Sequence, residues 1–325
     1  MKRFRNILCV VSDQKTSRIA LERAVSLAEI NQADLTVISV MPPVSIGMGM
    51  PDSGPISAEL QEKALGLHTQ KLQSAVETFR QRVEIRSHVL IGVQFLEIIR
   101  EVLRNGHDLV IKVPESEDWL DHLLGSEDMH LLRKCPCPVW LIKPVSHGAF
   151  RRVLAAVDVV DIYPESEAET RTLLNNQIIE IASSLALADF AELHIVHAWQ
   201  AMGEQILREM LMRKTGFDVD AYVAGVRQER QANLDRLLQT VSRDLGPDVL
   251  EYLRPQAHLV KGRARKEIPE LAIELKADLV VMGTVARTGI PGFFTGNTAE
   301  SILSQIGCSV LAIKPPGFQT PVTLT

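Results

Sequence analysis

The sequence predicts an α/β protein built from two tandem domains, each with a five-stranded parallel sheet. Two observations support this fold class: β-rich runs alternate with longer amphipathic stretches, and the second half of the chain repeats the first. The repeat is clearest in two matched pairs of strands. Residues 108–112 lead to residues 138–144, and residues 278–282 lead to residues 309–315, with Ile-Lys-Pro closing both copies.

The first half contains five runs rich in Val, Ile and Leu that predict strands. They cover residues 6–11, 34–40, 84–90, 109–112 and 139–142. A crossover helix between the first two strands is predicted by apolar residues at helical spacing, Leu21, Ala24, Val25 and Ala28. A later helix is expected to end at Asn105-Gly106, because this pair suits a helix C-terminus.

The second half repeats the same order of strands. They are predicted at residues 153–157, 192–198, 257–260, 279–282 and 310–313. The turn at residues 144–148 separates the halves, which predicts domains at 1–147 and 148–325.

The halves differ by an insertion after the second strand. Residues 41–57 are rich in Pro, Gly and Met and predict a mobile surface loop, whereas the second half has an apolar helix at 206–214 and a long helix at 219–245. The apolar helix is expected to pack on its own domain, with docking to a partner or a membrane surface as the alternative.

Composition limits the function classes. The net charge is −5, which argues against direct nucleic-acid binding, and no apolar run is long enough for a membrane span. The apolar run from Ile7 stops at Ser12-Asp13, so it predicts a first strand and not a secretory leader. With few cysteines as well, a cytoplasmic location is expected.

A glycine-rich loop follows the fourth strand of the second half, from Gly283 to Thr298. Free backbone N–H groups at a helix start, the helix dipole and glycines together favour a bound anion. Ligands of open parallel sheets bind beyond the carboxyl ends of the strands, where Asp158, His197 and Gly262 also lie. Taken alone, such a loop is equally consistent with phosphate binding and with a structural turn.

Two tandem units that each end in a Pro-Val-(x)-Leu-Ile-Lys-Pro-like strand resemble a two-domain universal stress protein, in particular the stress protein E subfamily. The resemblance implies an adenine-nucleotide α-hydrolase-like fold and ATP or another adenine nucleotide as the cofactor. ATP-binding members of the family carry a glycine, two residues, a second glycine, nine residues, and then a glycine followed by Ser or Thr. Laid on this sequence from Gly283, the motif is altered twice, with Ala286 at the second glycine and Asn297 at the Ser or Thr position. The candidate nucleotide-binding residues are Val157, Asp158, His197, Gly262, Met282, Gly283, Arg287, Gly289, Gly296, Asn297 and Thr298.

The first half departs further from the motif. Val113 stands at the first glycine position, and an acidic loop follows that would repel a triphosphate, so this half is predicted to have lost nucleotide binding. Asp118, Asp121, His122, Asp128 and His130 carry metal-binding atoms, but their spacing matches no strong ligand motif. We therefore expect no metal site and no catalytic residues.

The leading hypothesis from the sequence is a non-enzymatic cytoplasmic stress-response protein. The resemblance implies resistance to DNA-damaging agents and effects on motility and adhesion. Two alternatives stay open: slow ATP hydrolysis or phosphoryl transfer, with Asp158 and Thr298 as candidates, and an interaction module that uses residues 41–57 or 206–214. We expect the two fifth strands to pair edge to edge in an intramolecular pseudo-dimer, with further self-association undetermined.

Overall fold

A computed structural model describes residues 4–12, 14–44, 55–114, 126–143, 149–160, 165–211, 218–284 and 297–324. These residues form two compact units. The N-terminal unit contains residues 4–143 and 308–324, and the C-terminal unit contains residues 149–284 and 297–307, each with the gaps just given.

Strands and helices alternate along both halves of the chain. The first half forms β1 Asn6–Val10, α1 Gln14–Asn31, β2 Asp34–Met41, α2 Pro55–Glu77, β3 Ile85–Ile91, α3 Gln94–Asn105, β4 Leu109–Lys112, α4 Glu127–Lys134 and β5 Val139–Leu141. The second half forms β6 Arg152–Ala156, α5 Glu165–Asp189, β7 Glu192–Trp199, α6 Glu204–Leu211, α7 Val219–Leu245, α8 Pro247–Leu253, β8 Gln256–Lys261, α9 Ala264–Glu274, β9 Leu279–Gly283, α10 Asn297–Leu303 and β10 Ser309–Ile313.

The sheet of the N-terminal unit has the strand order β3-β2-β1-β4-β5-β10. The first five strands run parallel, and β10 pairs antiparallel with β5, with Val310 opposite Leu141. The predicted pairing of the two fifth strands is therefore observed. The central strands are buried almost completely, as expected for a parallel sheet with both faces covered.

In the C-terminal unit, β9, β6, β7 and β8 lie side by side in this order and run parallel. Ala156, the last residue of β6, lies opposite Val196 of β7 and Met282 of β9. This register brings the carboxyl ends of three strands to one edge of the sheet. Together the units confirm the predicted fold class, α/β with mostly parallel strands in two repeats.

The aspartate that opens the repeated Asp-Leu-Val motif has the same structural role in both units. The Asp108 carboxylate accepts hydrogen bonds from the backbone N–H groups of Arg5 and Asn6, at 2.7 and 3.1 Å. The Asp278 carboxylate accepts them from Arg151 and Arg152, at 2.7 and 3.0 Å. Each aspartate therefore ties the start of the unit's first strand to the start of its fourth.

Several sequence-based boundaries agree with the structure. The predicted helix end at Asn105-Gly106 is confirmed, with Gly106 at φ 66° and its N–H donating to the Val102 carbonyl. The long helix is observed as α7, and the apolar helix is observed as α6, ending at Leu211.

The predicted loop at residues 41–57 is wrong at both ends. Met41 is the last residue of β2, and α2 already begins at Pro55. A proline is favoured in the first turn of a helix, so its presence there is no bar to helix formation. The remainder of that loop and the turn at 144–148 lie largely or wholly outside the described residues, and the domain boundary at 147/148 stays a prediction. Among the described helices, none has the length and apolarity needed to cross a bilayer.

Candidate nucleotide-binding site

A cavity of about 340 Å³ opens at the carboxyl ends of β6, β7 and β9 in the C-terminal unit. Helices α5, α9 and α10 complete its walls. This is the position at which parallel α/β sheets usually bind ligands. The volume lies within the range of small-molecule sites.

Most of the wall is apolar. Most of the larger apolar side chains in the wall are buried: Val157, Leu174, Ile178, Ile268, Met282 and Ile302. A small number of polar side chains project from strand ends and from α5, which is the usual composition of a site for a flat organic ligand.

Asp158 follows β6 and is fixed by two residues of α5. Its carboxylate accepts a hydrogen bond from Arg171 Nη1 at 2.7 Å, in an ion pair whose side chains are 41% and 17% exposed respectively. Asn175, one helical turn further on, accepts from the Asp158 N–H and donates to its carbonyl, at 3.0 and 2.7 Å. The backbone and carboxylate of Asp158 are thus both held in place. Sequence reasoning missed Arg171 and Asn175, although polar residues at i and i+4 on an otherwise apolar helix face are a detectable signal.

Asp158 and Arg171 also border a second cavity of about 360 Å³ between α5 and α7. Asn233 and Arg236 of α7 line that cavity. The ion pair therefore lies where these two cavities approach each other.

His197, near the end of β7, lines the first cavity and is only 2% exposed. Its Nδ1 lies 3.2 Å from the Val157 carbonyl oxygen, and its Nε2 makes no hydrogen bond within the described part of the chain. Burial lowers the pKa of the imidazole, which keeps the ring neutral at pH 7.

Gly283, the last residue of β9, makes room for α5. A Cβ placed there would lie 2.7 Å from Leu174 Cδ2, closer than two carbon atoms can approach. Leu174 itself lines the cavity, so the missing side chain at position 283 determines where this part of the wall lies. The sequence argument assigned this glycine to close approach of a phosphate. Its first structural role is close approach of a helix.

The structure brings six of the candidate residues together around the cavity: Val157, Asp158, His197, Met282, Gly283 and Thr298. Arg287, Gly289 and Gly296 lie outside the described residues. Asn297 is the first residue of α10, and its side chain is likewise not described.

Gly262 is not part of the cavity wall and has a local structural role. Its φ is +152°, and a Cβ there would lie 2.2 Å from Glu267 Oε1. Gly92 repeats this arrangement in the N-terminal unit, with φ +152° and Glu97 as the close neighbour. Since the first repeat departs from the nucleotide motif and still has this glycine, the glycine has a role in the fold that needs no ligand.

The corresponding region of the N-terminal unit contains a buried ion pair. Lys112 occupies the position of Met282 at the end of the fourth strand, and Asp128 the position of Ala299 in the following helix. Lys112 Nζ donates to Asp128 Oδ1 at 2.5 Å, with the two side chains 1% and 3% exposed. Val113, at the position of Gly283, is also buried. Two apolar residues that face the cavity in one unit are thus replaced by paired charges in the other.

Of the residues weighed as metal ligands, Asp118, Asp121 and His122 lie outside the described residues. Asp128 is bound to Lys112, and His130 stacks on Phe95 with ring centroids 4.8 Å apart. In the part of the chain that the structure describes, no three His, Cys, Asp or Glu side chains are grouped as metal ligands.

Comparison with known proteins gives the family. A model of the universal stress protein family matches residues 3–143 and, a second time, residues 149–314. The chain belongs to the universal stress protein family. The two matches correspond to the two sequence repeats, so this is a tandem member.

Curated relatives include universal stress protein E of Salmonella typhi, 30% identical over 100% of this chain and 98% of that protein. The universal stress protein E homolog of Haemophilus influenzae is 29% identical, over 96% and 98% of the two chains. Universal stress protein E of Escherichia coli K12 is 35% identical, over 71% and 68%. The chain is therefore a tandem universal stress protein of the E type.

Solved structures agree on the fold. A functionally unknown protein of Pseudomonas aeruginosa PAO1 has a TM-score of 0.60 at 26% identity, covering 96% of this chain and 93% of that one. A universal stress protein of Archaeoglobus fulgidus has a TM-score of 0.54, with 95% and 96% coverage. At 18% identity, the latter shows the universal stress protein fold alone.

Proposed function

We propose that this universal stress protein binds one adenine nucleotide in the cavity of its C-terminal unit and acts in the cytoplasmic stress response without catalysing a reaction. The observation that carries the proposal is the cavity itself. It has largely apolar walls, a few fixed polar groups and a position beyond the carboxyl ends of three parallel strands.

The distribution of polar groups supports a base or sugar on one side and phosphates on the other. Asp158 and His197 lie at the ends of the adjacent strands β6 and β7, between apolar side chains that suit a flat purine. Gly283 and Thr298 lie at the end of β9 and in the first turn of α10. Backbone N–H groups at a helix start favour anions, so the phosphates belong on this side. Arg287, Gly289, Gly296 and Asn297 remain candidates from the sequence alone.

The contrast with the N-terminal unit supports a single nucleotide per chain. A purine that contacts Met282 and Ala299 in one unit would meet the Lys112–Asp128 pair in the other. Displacing this buried pair would separate two opposite charges in a poorly solvated place, which costs several kcal/mol.

The ion pair at Asp158 supports a binding role without hydrolysis. ATP hydrolysis generally needs a carboxylate or hydroxyl that holds a metal ion or activates water. The Asp158 carboxylate is already bonded to Arg171 Nη1, which competes with a cation for the same oxygen atoms. We therefore expect ATP to be bound and released intact, and no phosphate release above that of a heat-inactivated sample.

Isothermal titration calorimetry with ATP and AMP tests the proposal. The parent protein is expected to bind ATP with a Kd below about 1 mM and one site per chain. The double variant Met282→Lys/Ala299→Asp transfers the ion pair of the N-terminal unit into the cavity and should abolish binding. Lys112→Met/Asp128→Ala is the matched control, because it changes the equivalent positions of the other unit and should preserve the affinity for ATP.

A third variant, Ala286→Gly, restores the family's second glycine and should tighten ATP binding if that residue adopts a positive φ. Circular dichroism and urea unfolding of each variant separate loss of binding from loss of folding. Absence of ATP and AMP binding by the parent and by Ala286→Gly at millimolar ligand would overturn the nucleotide proposal.

At the cellular level, we propose that the protein supports resistance to DNA-damaging agents, as its resemblance to the E-type stress proteins implies. Survival after ultraviolet irradiation of cells that lack the gene would be restored by the parent chain. If nucleotide binding is required, Met282→Lys/Ala299→Asp would fail to restore it at equal protein level. Equal rescue by both chains would separate the stress role from the cavity.

A further inference from the structure

One ring nitrogen of His197 is hydrogen-bonded, and the other has no partner among the described residues. Two hydrogen bonds at Nδ1 require opposite tautomers. The Val157 carbonyl, 3.2 Å away, can only accept, and the Val159 N–H, 3.5 Å away, can only donate. We assign the proton to Nδ1 because the contact with the Val157 carbonyl is the shorter one. In the favoured tautomer Nε2 is a bare acceptor.

That acceptor is buried and has no hydrogen-bond partner in the described residues. Burial lowers the pKa of the ring, and the two charges that act on it oppose each other: Asp158 favours protonation and Arg230 disfavours it. An acceptor buried without a partner costs about 1–3 kcal/mol, so native proteins rarely keep one without a reason. His197 lines the candidate cavity, where a ligand could supply the missing donor.

We propose that His197 Nε2 accepts a hydrogen bond from a neutral N–H or O–H group of the bound nucleotide and thereby determines which nucleotides the cavity selects. The inference rests on the proposed nucleotide binding and adds a specificity residue to it. We assign the donor to one of two groups of an adenosine nucleotide, the exocyclic amine of the base or the 2′-hydroxyl of the ribose. A ligand with a carbonyl oxygen at the same place would direct a lone pair at the Nε2 lone pair and be rejected.

Two substitutions separate the functions of the ring nitrogens. His197→Asn retains an amide N–H where Nδ1 donates to Val157 and removes the acceptor at Nε2. His197→Gln can place its amide oxygen near the position of Nε2 and retain an acceptor there. Binding of ATP, ITP and 2′-dATP to the parent and to both variants then compares each ligand group with each side chain. ITP lacks the exocyclic amine, and 2′-dATP lacks the 2′-hydroxyl.

We expect His197→Asn to weaken ATP binding roughly 3- to 10-fold, the usual effect of one neutral hydrogen bond, and His197→Gln to recover part of that loss. The analogue that lacks the contacted donor should bind the parent at least as weakly as ATP binds His197→Asn, and its binding should not weaken further in that variant. Binding of the other analogue should weaken in His197→Asn by the same factor as binding of ATP. Which analogue behaves in which way identifies the amine or the hydroxyl as the donor.

Equal losses for all three ligands, or unchanged ATP affinity in His197→Asn, would overturn this inference while leaving the proposed function intact. Failure of the parent to bind any of the three nucleotides would overturn both. A loss of packing alone changes all affinities together and leaves the ratio of ATP to ITP and 2′-dATP affinity unchanged, so this ratio isolates the role of Nε2.

Discussion

Gly283 and Leu174 lie next to each other at the cavity. Gly283 has no side chain, and the side chain of Leu174 occupies the space that this leaves. A Cβ at position 283 would lie 2.7 Å from Leu174 Cδ2. Leu174 is 8% exposed and lines the cavity, so a shift of its side chain changes the cavity wall. A glycine that packs a helix therefore also determines the room for a ligand.

Gly283→Ala is expected to destabilise the protein by about 1–3 kcal/mol, the usual cost of an added methyl group in a packed site, and to weaken ATP binding. Gly283→Ala/Leu174→Ala removes the clash and should recover ATP binding at least in part, while losing stability through the smaller side chain. Urea unfolding and calorimetry measure the two quantities separately. ATP binding that is equally weak in the single and double variants would show that Leu174 is not the cause.

At the scale of secondary-structure elements, the two repeats use the same strand and helix for different purposes. The end of β4 and the start of α4 contribute Lys112 and Asp128, bonded to each other and buried. The end of β9 and the start of α10 contribute Met282 and Ala299, which face the cavity. A buried ion pair is stabilising only while both partners are present, because either charge alone is left in a poorly solvated place.

Asp128→Ala is therefore expected to lower the free energy of unfolding by roughly 3–5 kcal/mol, since it leaves Lys112 buried without this carboxylate. Lys112→Met/Asp128→Ala, which reproduces the residues of the second repeat, should lie within about 1–2 kcal/mol of the parent. Urea unfolding at pH 7 checks both values. A double variant as unstable as the single one would contradict the expected coupling between the two side chains.

At the scale of the whole molecule, the last strand of the second repeat lies in the N-terminal unit. β10 pairs with β5, and the residue that follows it, Lys314, extends into that unit's interior. Lys314 Nζ donates to the Leu132 carbonyl at 2.5 Å and lies 4.9 Å from the Phe318 ring centroid. Burial lowers the pKa of its ammonium group from 10.5 to about 7.

This shift links stability to pH. Because the unfolded chain binds the proton more tightly, the contribution of Lys314 is fully present above pH 10.5 and is lost as the pH falls toward 7. The slope is at most about 1.4 kcal/mol per pH unit. Lys314→Met should remove this pH dependence. The free energy of unfolding of the variant should therefore exceed that of the parent by more at pH 7 than at pH 9.5. Lys143→Met is the control, because Lys143 has the equivalent position in the first repeat and is partly exposed. Parallel profiles of unfolding free energy against pH for the parent and Lys314→Met would contradict the role given to Lys314.

The degree to which the site was predictable varies from residue to residue. Asp158 and His197 follow from the rule that parallel strands present ligands at their carboxyl ends, and both line the cavity. Arg171 was not predicted, because its bond to Asp158 depends on how α5 lies across β6. Gly262 was assigned to the ligand because a glycine after a strand has the same sequence pattern whether it serves a turn or a phosphate.

The sequence by itself determined the two repeats, the parallel α/β fold and the strand ends at which a ligand would lie, because hydrophobic periodicity and turn residues are local properties of the chain. Only the tertiary structure decided that Gly283 accommodates Leu174 and that Lys112 and Asp128 neutralise each other. The same is true of His197 Nε2, which has no hydrogen-bond partner within the described part of the chain. These facts depend on distances between residues far apart in the chain, and such distances are set by packing, which no local pattern contains.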